Sequence, residues 1–74
     1  NIQEIMLTNL PQIKTIQDLK IRENTGCTVI GYKTKNGDYI VNPDINFNVQ
    51  TEGRIIVLGN FDQIQKLNKV FALK

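Results

Sequence analysis

Between Gly26 and Gly59 short apolar runs alternate with strong turn signals, in an order that few folds accept. The first run, Cys27 to Tyr32, leads to Asn36-Gly37. That pair suits a type I′ turn, whose two central residues both need positive φ. The second run, Tyr39 to Val41, is stopped by Asn42-Pro43-Asp44. Proline cannot donate to a sheet ladder, and it pushes the residue before it towards an extended conformation. The third run, Ile55 to Leu58, ends at Gly59 and opens directly into a helix. Strand, hairpin, strand, long return, strand and helix describe a small α+β module. The stretch Arg54 to Leu58 is apolar on both faces, which predicts a central strand covered on each side.

The flanking segments fit the same plan. Ile2, Met6 and Thr8 face one way in an extended reading and Ile5 and Leu7 the other, so residues 2–8 are expected as a first strand. Asn9 to Gln12, with Pro11, reads as a loop. Thr15 and Asp18 have the spacing of a capping box, and Ile16 and Leu19 then share a face of a short helix. Residues 22–26, RENTG, read as a turn closed by Gly26. Ile45 to Glu52 is polar and irregular, with Phe47 and Val49 to anchor it. Asn60 and Gln63 repeat the capping pattern ahead of Phe61, Ile64, Leu67 and Phe71 at helical spacing. Lys66, Lys69 and Lys74 come late in that helix, where its dipole favours cations.

Composition excludes more than it suggests. A chain of 74 residues with 41% hydrophobic content and no Trp makes one light core, and self-association is a common remedy for that. Residues 1–74 are expected to form a single domain of a longer protein, since the first residue is Asn. A net charge of +2 does not argue for nucleic acid. With no His and a single cysteine, neither a disulfide nor a resident metal or cofactor is expected, and Cys27 reads as a buried thiol. No activated nucleophile is present, so an enzyme is not expected. No apolar run is long enough to span a bilayer.

The stretch TIQDLKIRENTGCTVIGYKTKNGDYIVNPDINFNVQTEGRIIVLGNFDQIQKL resembles the RCK C-terminal, or TrkA-C, domain of potassium channel and ion transporter regulatory proteins. The pieces that carry the likeness are Thr15-Ile16-x-x-Leu19, Ile21-Arg22 to Thr25-Gly26, Thr28-Val29-Ile30, the hairpin, Asn42-Pro43-Asp44, and Glu52-Gly53-x-Ile55-Ile56-Val57-Leu58-Gly59. Ile45 stands where a second proline is usual, and Lys14 where a glycine often precedes the helix. The resemblance implies a β-α-β-β-β-α domain that forms a homodimer and acts with the rest of its own chain at the cytoplasmic face of the membrane. It implies no membrane contact by the domain itself and a small ligand, in some members cyclic di-AMP, at the dimer interface; no nucleic-acid partner is expected, on the small net charge.

Five residues match positions that line the cleft between protomers in cyclic-dinucleotide-binding members: Ile16, Arg22, Thr28, Ile30 and Pro43. Arg22 suits a phosphate, Thr28 a hydrogen bond, and Ile16, Ile30 and Pro43 the faces of a base. The same residues have an ordinary account, in which the isoleucines fill a core, Arg22 is solvated and Pro43 ends a strand. Asp18, Glu23, Asp38, Asp44, Glu52 and Asp62 lack the spacing of a calcium loop and are read as capping or solvated charges. The alternative function is a purely structural dimerisation module with no ligand.

Overall fold

The computed structural model describes residues 1–7, 15–50 and 52–71. Strand β1 (Ile2–Met6) buries Ile5, and Leu7 just beyond it, while Ile2 and Met6 face outward. It is shorter than the expected 2–8, and Thr8 and the loop at 9–12 lie outside the described residues. Thr15 caps α1 (Ile16–Leu19) as its spacing requires. The Asp18 N–H donates to the Thr15 hydroxyl at 3.3 Å, and the Thr15 N–H donates to the Asp18 carboxylate at 3.1 Å. Ile16 and Leu19 are both buried.

In place of the expected turn at residues 22–26, the chain forms a second short helix, α2 (Ile21–Thr25). Ile21 and Thr25, four apart, both bury on one face, and that burial favours the helical turn. Lys20, at φ 50° and ψ 40°, separates the two helices, and Gly26, at φ 80°, ends α2. Strand β2 (Thr28–Lys33) and strand β3 (Tyr39–Val41) follow as a hairpin.

The hairpin does not use a type I′ turn. Gly37 alone of the Asn36-Gly37 pair has positive φ, at 97°. The Gly37 N–H donates to Thr34 O at 2.9 Å, the Thr34 N–H to Asp38 O at 2.8 Å, and the Asp38 N–H to the Thr34 hydroxyl at 3.0 Å. That pattern is a turn over Thr34–Gly37 followed by a left-handed glycine, the longer hairpin closure. The Thr34 hydroxyl supplies the extra bond that favours it. Asn42, expected to be extended before Pro43, instead takes φ 50°, and its N–H donates to Ile30 O at 3.0 Å. Asparagine tolerates that region better than other side chains, so the backbone bond outweighs the proline's preference.

The return segment is held by two aromatics. Phe47 packs on Tyr32 with ring centroids 5.1 Å apart, Val49 is buried, and the Tyr32 hydroxyl accepts from the Gln50 N–H at 2.9 Å. Strand β4 (Arg54–Leu58) and helix α3 (Phe61–Phe71) complete the chain. Asn60 and Gln63 exchange backbone-to-side-chain bonds of 2.8 Å at the start of α3. Ile64 and Leu67 are buried, but Phe61, about 120° round the helix from Leu67, is 65% exposed.

The four strands form one antiparallel sheet in the order β1-β4-β2-β3. Ile5 lies opposite Ile55, Ile55 opposite Tyr32, and Tyr32 opposite Ile40. These side chains join Ile16, Leu19, Ile21, Ile64 and Leu67 of the helices in one core. Strand β4 is central, as its composition predicts, but only one of its faces is covered. Ile55 and Val57 are buried, whereas Ile56 is half-buried and Leu58 exposed. All the described helices feed the same core, and the opposite face of the sheet stays open.

Candidate functional site

A cleft of about 370 Å³ opens where α1, α2, the start of β2 and the loop after β3 meet. Backbone bonds fix its walls. The Ile16 N–H donates to Phe47 O at 3.1 Å and the Gln17 N–H to Ile45 O at 2.9 Å, so α1 is tied to the loop that carries Pro43 and Ile45. That loop is stiffened by the Asn46 N–H, which donates to the Asp44 carboxylate at 2.9 Å.

The other wall depends on Thr25. Its buried hydroxyl donates to Ile21 O at 2.5 Å and accepts from the Cys27 N–H at 3.1 Å. One side chain therefore joins the end of α2 to Cys27, the residue that precedes β2. The sharp bend at Lys20 sets α2 as a separate wall from α1, and Arg22 stands exposed along it.

The floor is apolar: Ile16, Ile21 and Cys27 are buried. The rim is polar, with Gln17, Arg22, Glu23 and Thr28 all exposed. A greasy floor under a few polar groups is the usual make-up of a small-molecule site, and the volume falls within the range of about 300 to 1,000 Å³ that such sites occupy. Among the described residues that line it, Arg22 is the one cation, suited to a phosphate or carboxylate. Among the described residues there is no group of three or more His, Cys, Asp or Glu that could hold a metal.

Ile16, Arg22, Thr28 and Pro43, four of the residues singled out in the sequence, line this cleft together. Ile30 does not. The β2–β4 register shifts between Val29 and Gly31, so Ile30 is the extra residue of a bulge and the simple alternation that pairs it with Thr28 is broken. Val29 lines the cleft instead. Residue patterns also passed over Ile21, Cys27 and Ile45, because each reads as ordinary core or loop until α1 and α2 separate. The left-handed Lys20 that separates them carries no sequence signal, since lysine does not favour that conformation.

A family profile described as the TrkA-C domain matches residues 14–72. Among curated proteins, no sequence matches the chain. Among solved structures, the RCK_C domain dimer of S. agalactiae BusR in complex with c-di-AMP superposes with a TM-score of 0.79 at 23% identity, over 99% of this chain and 97% of that one. The RCK C domain of the potassium transport protein KtrA in complex with c-di-AMP gives 0.77 at 25% identity, over 95% of this chain and 81% of that one. The GsuK channel gives 0.83 at 20% identity, over 99% of this chain but 14% of its own. BusR has also been solved with its busAB-promoter DNA, on a chain of which this one covers 36%. These likenesses establish the fold. Promoter DNA is a partner of BusR, a class of partner that the expectation of no nucleic acid leaves out for this chain.

Proposed function

The chain belongs to the TrkA-C domain family, and on that footing we propose that it is a regulatory ligand-binding and dimerisation domain of a potassium channel or ion transporter. It regulates rather than catalyses, and it works at the cytoplasmic face of the membrane through the rest of its own protein. No helix among the described residues is long and apolar enough to cross a membrane, so the membrane part falls to that remainder.

The observation that carries the reading is the cleft itself, in which Arg22 and Thr28 rim a buried floor of Ile16, Ile21 and Cys27. One such cleft is a half-site for a cyclic dinucleotide. The ligand has two phosphates and two bases related by a two-fold, which matches two copies of the chain related by a two-fold. Each Arg22 meets one phosphate, and each apolar floor takes one base. BusR and KtrA domains hold c-di-AMP, which makes cyclic di-AMP the first ligand to try. Such a ligand changes the angle between two copies only by binding one arrangement better than another.

Calorimetric titration of the 74-residue chain with cyclic di-AMP, beside cyclic di-GMP and ATP, tests this. The expected result is saturable binding of cyclic di-AMP at one ligand per two chains. A flat titration with all of them leaves the alternative ahead, a dimerisation module without a ligand, which the open apolar face of the sheet favours.

A further inference from the structure

The proposed function leaves open how the cleft tells one base from another. Of the polar side chains on its rim, Arg22 and Thr28 already have parts to play, and Gln17 and Glu23 do not. Gln17 is exposed, and its side-chain amide makes no hydrogen bond among the described residues. Its own N–H is committed to Ile45 O at 2.9 Å, which pins residue 17 to the loop that carries Pro43 and Ile45. Ile45 is 57% exposed, and of the eight large hydrophobics left open among the described residues it alone lines the cleft. A bare isoleucine and an unengaged amide therefore share one wall, joined by a backbone bond.

We infer that this pair reads the base: one face of the base rests on Ile45, its edge is hydrogen-bonded by the Gln17 amide, and the base so selected is adenine. The inference rests on the cyclic dinucleotide reading above and names what sets its specificity. An amide carries a donor and an acceptor side by side. Adenine offers the matching pair, its N6 amino group next to N7, whereas guanine presents two acceptors, O6 and N7, on the same edge. Against guanine the amide makes one bond and leaves its own oxygen facing O6. A site that holds a polar group for one partner rejects the analogue that leaves that group unpaired.

Glu23 is the competing reader. A carboxylate only accepts, so it suits the adjacent N1–H and N2 amino donors of guanine. Place decides between the two. Glu23 follows Arg22 on α2, beside the group that takes the phosphate, while Gln17 follows the buried Ile16 on α1 and is tied to Ile45. An anion next to the phosphate weakens any cyclic dinucleotide alike, whatever its bases.

Calorimetric titration of the 74-residue chain and three variants with cyclic di-AMP and cyclic di-GMP tests the inference. The wild type is expected to prefer cyclic di-AMP by at least about tenfold, the scale of one bidentate base contact. Gln17→Leu should lose most of that preference by weakening cyclic di-AMP alone. Gln17→Glu should turn the preference towards cyclic di-GMP, a reversal that a merely structural role for Gln17 would not produce. Glu23→Gln should shift both affinities in one direction and keep their ratio. The replaced side chains are exposed, so the core is untouched, and circular dichroism establishes that each variant folds. A ratio unchanged in both Gln17 variants, or one that follows Glu23→Gln instead, overturns the inference and leaves the cyclic dinucleotide reading in place. A wild type that prefers cyclic di-GMP does the same. A wild type that binds neither ligand overturns that reading and the inference together.

Discussion

Arg22 stands exposed on α2, while Thr25, three residues on, is buried and ties the helix, through one hydrogen bond back to Ile21 and one from Cys27, to the residue that precedes β2. The residue that would meet a ligand is thus not the residue that holds the wall in place. Arg22→Ala is expected to weaken cyclic di-AMP by at least about tenfold, since a charge-assisted bond is lost from each half of the site. The thermal midpoint without ligand should stay where it is. Equal affinity in wild type and variant, read by calorimetry, would keep the ligand and remove Arg22 from its site. At this scale much was legible. Cys27, in an apolar run, is fully buried, and Ile16 is buried in the floor of the cleft. Ile21 was not legible as a cleft residue, because an isoleucine reads as core whether or not a groove opens beside it.

At the scale of elements, residue type located the turns better than it specified their geometry. Asn36-Gly37 does close a hairpin, yet Asn36 keeps negative φ because the Thr34 hydroxyl and backbone offer bonds that a two-residue turn lacks. The consequence can be measured at Gly37. A side chain there meets nothing within 4 Å, so Gly37→Ala reports backbone conformation alone. At φ 97° the substitution should cost about 1 kcal/mol or somewhat more, seen as a lower urea midpoint at unchanged slope. No change in the midpoint would mean that the loop relaxes to another closure at no cost. The helix α2 in place of the turn expected at residues 22–26 had a different origin. RENTG is rich in turn residues, and only the tertiary burial of Ile21 and Thr25 makes it helical.

For the whole molecule, the succession of strands along the chain followed from the sequence because every apolar run is bounded by its own stop: Pro43 after β3, Gly59 after β4, and capped helix starts at Thr15 and Asn60. What covers the outer face of β4 did not follow. A central strand apolar on both sides reads the same whether a helix or a second chain lies over it, and here the helices take one side only. That ambiguity is where folding meets regulation. If two clefts face each other across a two-fold, a ligand bound there touches both copies. The free energy linking ligand binding to dimerisation is then reciprocal: whatever factor the ligand adds to dimer affinity, dimerisation adds to ligand affinity. Saturating cyclic di-AMP is expected to tighten the dimer by at least about tenfold, a coupling of about 1.4 kcal/mol. Titrations run below the dimer dissociation constant should show correspondingly weaker ligand binding than titrations run above it. Sedimentation with and without ligand, set beside calorimetry at the two protein concentrations, must return the same factor from both directions. A ligand that binds with one affinity at every protein concentration, and leaves the dimer no tighter, would lie wholly within one copy, and the shared cleft would be the wrong description of the site.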